Sequence, residues 1–120
     1  MNDVKVYGIS NRRELEIHEK DVHIRDTKSD KTVKIPLNVW TMLSRKFPKI
    51  GKALDNAKFS SYFAHLDNGW SVSVRKPNAC VSICRYYFAP NGGLNLSRQG
   101  MSFKSAEWTA LTSIYDESSH

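Results

Sequence analysis

A pattern of short alternating strands followed by one amphipathic helix occurs twice in this chain. The first copy ends in KIPLNVWTML and the second in GMSFKSAEWTAL, so each closes with a strand, a polar residue and a helix carrying Trp-Thr-x-Leu. About three further strand signals precede each ending. One such unit alone would leave a large apolar sheet face uncovered, and a second unit would bury it. The sequence therefore predicts an α+β fold, a curved antiparallel β-sheet with a packed helix, in which ββββα is repeated twice as a pseudo-dimer.

The first half shows four runs in which apolar and polar residues alternate. They are Val4–Tyr7, Leu15–His18, Val22–Arg25 and Thr32–Ile35. A helical pattern follows, with apolar residues at spacings of three and four: Trp40, Leu43, Phe47, Ile50 and Leu54. Asn38 is its predicted N-cap, and Pro48 should bend or restart the helix near Phe47. A polar link from Gly51 to Ser61 is expected next. The predicted units are a degenerate one at residues 1–57 and a second at 58–120, which can together form one domain.

The second half repeats this organisation. Its strand signals are Tyr62–Leu66, Trp70–Lys76 and Cys80–Phe88, and the short turn KPNA predicts a hairpin between the last two. PNGGLNLSRQG indicates a loop or a wide hairpin before a short strand, Met101–Phe103. The final helix carries Trp108 and Leu111, and a frayed tail is expected after it. The helical spacing of Trp40 and Trp108 predicts that both are core residues.

The distribution of charge is more informative than its total. The formal net charge is +6, but no acidic residue lies between Asp67 and Glu107. Five basic residues fall inside that stretch: Arg75, Lys76, Arg85, Arg98 and Lys104. A solvated face normally mixes both signs, whereas a stretch of one sign attracts a polyanion. The second half is therefore expected to meet a nucleic acid.

No sequence pattern indicates catalysis or a metal site. The chain has no glycine-rich phosphate loop, no HExxH and no CxxC, and its histidines (His18, His23, His65 and His120) are scattered. Cys80 and Cys84, four residues apart on a predicted strand, would neither reach each other for a disulfide nor converge on one ion. We therefore expect a protein that is not an enzyme, with no catalytic residue, no cofactor and no metal.

The expected location is intracellular. No run of about 18 apolar residues is present, so no membrane span is predicted. The amino terminus, MNDVKVYGIS, lacks the apolar core and cleavage site of a signal peptide. The protein would be nuclear if its host is eukaryotic or viral, and cytoplasmic otherwise.

One stretch of the second half resembles a known family. From Arg85 onward the chain shows Arg-Tyr-Tyr-Phe, then Pro90, Gly92, an Arg98–Gly100 turn, Met-Ser-Phe and Trp108. This resembles the carboxy-terminal domain of positive cofactor four, the single-strand-binding transcriptional coactivator, over about a third of the chain (72–111). Two such units in one chain are similar to the whirly-type single-strand binders. The resemblance implies a sheet with helices on one side and nucleic acid on the other.

The resemblance also implies which side chains contact DNA. Transferred onto matching positions, these are Arg75, Lys76, Arg85, Phe88, Arg98 and Gln99. Gln99 stands where the family usually has a charge. Two more candidates come from the residues themselves. Trp70 begins a strand and can face either side, and Tyr87 shares the face of Arg85 by alternation.

These observations predict a single-stranded DNA-binding protein with little sequence specificity, acting in transcription or replication beside proteins of those processes. It would be a homodimer or an intramolecular pseudo-dimer. Two alternatives remain. One is an RNA-binding protein that uses the same sheet, because stacking platforms serve both nucleic acids. The other is a non-catalytic protein-interaction module whose basic surface meets an acidic partner.

Overall fold

A computed structural model describes residues 4–56, 61–74 and 80–118, with side chains omitted at Phe88, Leu94, Leu96, Arg98 and 116–118. The first half contains four strands and two helices: β1 (Lys5–Gly8), β2 (Arg13–Ile17), β3 (Asp21–Asp26), β4 (Lys31–Pro36), α1 (Leu37–Arg45) and α2 (Phe47–Asp55). The second half contains β5 (Tyr62–His65), a 3₁₀ turn (Asp67–Gly69), β6 (Trp70–Val74), β7 (Cys80–Phe88), β8 (Leu94–Lys104) and α3 (Ser105–Ser118).

Each half forms its own four-stranded antiparallel sheet. The strand orders are β1-β2-β3-β4 and β5-β6-β7-β8, so every strand pairs with its neighbour in sequence. Helices follow the fourth strand in both halves. The α+β class is therefore confirmed, and the arrangement is compatible with ββββα repeated twice. The predicted boundary between residues 57 and 58 lies outside the described residues, between α2 and β5.

Three predicted boundaries are wrong. The first helix begins at Leu37 with Pro36 at its cap position, so Asn38 lies inside it. Helix α2 continues through Gly51 to Asp55, because Ile50 is fully buried and Leu54 packs against the core, which outweighs the low helix propensity of glycine. Strand β8 covers eleven residues from Leu94 instead of three, because it pairs with β7 along most of its length.

One local prediction is confirmed. The helical segment breaks at Lys46, and Pro48 lies near the start of α2, where a missing N–H costs no helical hydrogen bond. The segment between β7 and β8 is shorter than the predicted loop or wide hairpin, because β8 already begins at Leu94. Gly92 adopts a positive φ of 85° in this turn, which glycine tolerates without a side-chain clash.

The helices of the two halves pack against each other. The ring of Phe47 lies edge-on to Trp108 and to Tyr115, with centroids 5.4 Å away in both cases. Trp40 contacts Tyr115 at 5.8 Å. Trp40 and Trp108 are 3% and 2% exposed, so both are core residues. The buried residues that the structure describes in both sheets and in α1, α2 and α3 form one hydrophobic cluster, and among these residues neither half has a separate core.

Polar contacts also join the two halves. The Arg13 guanidinium donates to the carbonyl oxygen of Ser102 at 2.8 Å and lies over the Phe103 ring, 5.3 Å from its centroid. The Ser10 hydroxyl donates to a Glu107 carboxylate oxygen at 2.9 Å. Strands β4 and β8 approach each other at this seam. Among the described helices, none combines the length and the apolar character that a membrane crossing requires.

Candidate nucleic-acid interface

The second sheet has one face covered by helices and one face turned away from them. Alternation along the strands assigns the buried side chains to the covered face: Val72, Val74, Val81, Ile83, Met101 and Phe103. Two rows of register partners cross the opposite face. One row is Phe63, Ser73, Ser82 and Ser102, and the other is His65, Ser71, Cys84 and Gly100. We call these eight residues the outer face of the second sheet.

Small side chains form the floor of this outer face. Serine, cysteine and glycine occupy all its positions on β6, β7 and β8. The hydroxyls of Ser82 and Ser102 lie 2.8 Å apart and hydrogen-bond across the strands. Gly100 lies opposite Cys84, and a β-carbon added there would meet its sulfur at 3.4 Å. Ser71 is only 3% exposed. Over the other small groups of the floor, a planar ligand can approach the sheet closely, which larger side chains would prevent.

An aromatic pair borders this floor on the edge strand β5. Phe63 is 53% exposed, and its ring meets that of His65 edge-on with centroids 4.9 Å apart. A half-exposed phenylalanine beside a histidine gives a nucleobase a π-face on which to stack. The sequence analysis missed Phe63. The available signal was the alternation in Tyr-Phe-Ala-His, because it places Phe63 and His65 on one side and Tyr62 and Ala64 on the core side.

The outer face carries no carboxylate. Strands β5 to β8 contain no aspartate or glutamate, so the acid-free stretch of the sequence coincides with three of the four strands of this sheet. The flanking acids lie elsewhere. Asp67 is in the 3₁₀ turn, and Glu107 on α3 accepts hydrogen bonds from the Ser10 hydroxyl and the Lys104 backbone N–H. No fixed negative charge on these strands would repel a phosphate backbone.

Trp70 is not part of this face, which corrects the sequence prediction. Its side chain is 1% exposed and lies on the helix-covered side with Val72 and Val74. The preceding turn fixes this orientation. Gly69 adopts a φ of 80°, and a β-carbon there would lie 2.5 Å from the Tyr86 carbonyl oxygen, so only glycine fits where the turn meets β7. Trp70 therefore enters β6 as a core residue and cannot stack on a base in this conformation.

Arg85 and Tyr87 share a side, as predicted, but it is not that of the outer face. Arg85 is the register partner of Trp70, so alternation assigns it to the helix side. Both are nevertheless solvent-accessible: Arg85 is exposed, and Tyr87 is 51% exposed. They lie toward the end of β7 that pairs with the start of β8. A ligand crossing the outer face could reach them only by passing over this end of the sheet.

A bulge in β8 lies opposite Arg85. Cys84 pairs with Gly100 and Tyr86 pairs with Leu96, so one residue on β7 faces three on β8, Ser97 to Gln99. Bulges bend a sheet and redirect side chains. Gln99 is half-buried, and its Oε1 accepts a hydrogen bond from the Lys34 backbone N–H at 3.3 Å, so its amide oxygen contributes to the seam between the sheets.

The remaining predicted contacts cannot be placed on this surface. Arg75 and Lys76 lie outside the described residues, and the side chains of Phe88 and Arg98 do as well. Their assignment to the interface stays a prediction from the family resemblance. Two lysines that the sequence analysis did not select lie beside the edge strand β5. Lys49 and Lys52 on α2 line a shallow groove of about 290 Å³ that Ser61 and Tyr62 of the β5 segment also border.

In the first half, a buried carboxylate is held by hydrogen bonds from neighbouring groups of the protein itself. The carboxylate of Asp26 is 3% exposed and accepts hydrogen bonds from the Lys28 and Ser29 backbone N–H groups and from the Arg12 and Arg13 side chains. The Ser29 N–H is the main cause of a pKa well below the ordinary aspartate value. Burial opposes this effect, while Arg12, Arg13 and the Lys28 N–H add to it. Asp26 therefore stays ionised and fixes the β3–β4 turn.

Comparisons of the chain with protein-family models, with curated proteins and with solved structures found no match. The candidate interface therefore rests on the chain's own residues and geometry.

Proposed function

We propose that this protein binds single-stranded nucleic acid, DNA in the first instance, on the outer face of the second sheet. One observation carries the proposal: a half-exposed Phe63 and its neighbour His65 border a floor of small side chains on strands that contain no carboxylate. Unpaired bases expose flat faces that stack on such rings, whereas a duplex hides them. The protein acts as a non-catalytic binder with little sequence specificity, because stacking accepts every base.

The phosphate backbone would be neutralised at the margins of this face and not on its floor. Candidate cations lie on two sides: Lys49 and Lys52 beside β5, and Arg85 at the far end of β7. Such contacts release condensed counterions, so the affinity falls as salt rises. The single-chain pseudo-dimer would present one such face, because the equivalent face of the first sheet is charged with both signs. A role in transcription or replication follows from the need to hold melted strands.

A salt titration of affinity tests this proposal. Fluorescence anisotropy would compare a labelled single strand with a duplex of equal length over a range of salt concentrations. We expect tighter binding of the single strand at every concentration, and a linear fall of log K with log salt. Equal affinity for both forms, or no binding at low ionic strength, would reject the proposal and favour an acidic protein partner. Competition with a matched RNA strand decides between DNA and RNA.

A further inference from the structure

The hairpin between β2 and β3 brings together ionisable side chains that the sequence shows as scattered. Glu16 on β2 and His23 on β3 are register partners, so their side chains share the outer face of the first sheet. The backbone N–H of His18 donates to the Asp21 carbonyl oxygen at 2.9 Å and closes the hairpin. The rings of His18 and His23 stack with centroids 3.8 Å apart. The tight turn therefore converts two separate histidines into one cluster with Glu16.

Three potential ligand atoms of this cluster converge. Glu16 Oε1 lies 3.0 Å from His18 Nε2 and 3.9 Å from His23 Nδ1. All three atoms lie within 4.8 Å of one another. A zinc ion with bonds of about 2.0–2.1 Å in tetrahedral geometry holds neighbouring ligand atoms about 3.3 Å apart. The two distances from Glu16 Oε1 bracket that separation. Because imidazole lone pairs lie in the ring plane, side-chain rotations that open the stack of His18 and His23 would bring the three atoms to one ion.

A fourth group is placed to orient one of the imidazoles. Asp21 Oδ1 lies 2.9 Å from His23 Nε2, on the opposite side of the ring from Glu16. The contact is close but poorly aligned, because this buried Nε2 makes no hydrogen bond within the described residues. A histidine that binds a metal through Nδ1 carries its proton on Nε2, and a carboxylate commonly accepts that proton's hydrogen bond. Metal binding would thus give the buried nitrogen its partner.

We propose that Glu16, His18 and His23 form a binding site for a divalent first-row transition metal such as Zn²⁺. Two imidazoles and one carboxylate are ligands that such ions accept, and three protein ligands leave a fourth position for water. Asp21 acts as a positioning residue for His23. Lys34, the register partner of His23 on β4, adds a positive charge on the same face, which the carboxylates of Glu16 and Asp21 offset. This metal site lies on the first sheet, whereas the candidate nucleic-acid interface lies on the second sheet. The two proposals are therefore independent of each other.

Equilibrium dialysis of the full-length protein against ZnCl₂ tests the proposal. We expect one saturable equivalent of zinc, which Glu16→Gln, His18→Gln or His23→Gln abolishes. Asp21→Asn should weaken the affinity about 10- to 100-fold, as the loss of a supporting carboxylate does at other metal sites. Two matched controls should keep the wild-type affinity. Glu19→Gln changes an exposed acid in the same hairpin, and His65→Gln removes a histidine from the other sheet.

Co²⁺ provides a readout that an ordinary hydrogen-bonded cluster would not give. A four-coordinate Co²⁺ complex absorbs strongly in the visible range, and this absorption should titrate to one equivalent and disappear on addition of Zn²⁺. Circular dichroism of each variant shows whether it has kept its fold. The proposal is overturned if the wild type binds no zinc saturably, or if folded variants at all three ligand positions retain the wild-type affinity.

Discussion

The outer faces of the two sheets differ in chemistry although their strand topology is the same. Among the described side chains, the close contacts between basic and acidic groups all lie in the first half, and several lie on or beside its outer face, such as those of Arg25 with Asp30 and of His23 with Asp21. The second sheet carries hydroxyl groups, a thiol and a half-exposed phenylalanine there, and its strands have no acid. In this repeated fold, the charges on the outer face of the first sheet neutralise one another, whereas the outer face of the second sheet is the one on which we propose that a ligand binds.

The largest expected effect is on stability and concerns the hydrophobic core that the two halves share. Phe47→Ala removes the ring that contacts both Trp108 and Tyr115, so it should lower the free energy of unfolding by about 3 kcal/mol. The wild type should unfold in one cooperative transition, because neither half has its own core. Scanning calorimetry checks both expectations. Two separate transitions in the wild type would show that the halves fold independently.

The next effect tests whether the exposed ring matters for binding. Phe63→Ala should weaken single-strand affinity about 5- to 150-fold, which corresponds to the loss of about 1–3 kcal/mol of stacking. Val6→Ala is the matched control, because Val6 is 57% exposed on the edge strand of the first sheet. Anisotropy at fixed salt measures both variants. If both variants lost the same single-strand affinity, the two sheets would not differ in their contribution to binding.

A third effect concerns the buried acid of the first half. The folded pKa of Asp26 lies below its ordinary value of 3.8, so its ionised form stabilises the native state above that pH. This contribution is lost as pH falls through 3.8 toward the folded pKa. Asp26→Asn should therefore be less stable at neutral pH and show a shallower loss on acidification. Urea unfolding at several pH values measures this, with Asp30→Asn, an exposed acid, as a control that should behave as wild type.

The smallest effect concerns single surface charges. Arg85→Ala should weaken single-strand binding modestly and reduce the slope of log K against log salt by about 0.7, the value for one phosphate contact on a single strand. Arg98→Ala is expected to do the same. Arg25→Ala, which removes an exposed arginine paired with Asp30 on the first sheet, should leave the slope unchanged. An unchanged slope in the Arg85 and Arg98 variants would exclude these residues from the interface.

Alternation and duplication in the sequence predicted the architecture well. The Trp-Thr-x-Leu helices and the strand signals before them led to the α+β class and to a repeated unit whose tryptophans lie in the core. The failures have a common physical origin, because they depend on contacts between distant segments. The length of β8 depends on its pairing with β7, and the continuation of α2 through Gly51 depends on the burial of Ile50.

The candidate site was less predictable than the fold. The acid-free stretch indicated the same sheet on which the structure leads us to propose the interface. However, the side that Trp70 faces was left open, although the alternation in Trp-Ser-Val-Ser-Val groups it with Val72 and Val74. The glycine turn against Tyr86 leads into the strand in this orientation. Phe63 was missed because the alternation in Tyr-Phe-Ala-His separates its side from that of Tyr62 and Ala64 but does not say which side packs against the helices. The cluster of Glu16, His18 and His23 exists only because a hairpin aligns its strands.

Nuclear magnetic resonance tests the central claim most directly. Backbone amide shifts would be followed while a short single-stranded DNA is titrated into the isotope-labelled protein. The account predicts that the shifts concentrate at Phe63, His65, Ser82 and Ser102, and that the strands of the first sheet change little. Shifts concentrated on β1 to β4, or no shifts at saturating DNA and low salt, would contradict it.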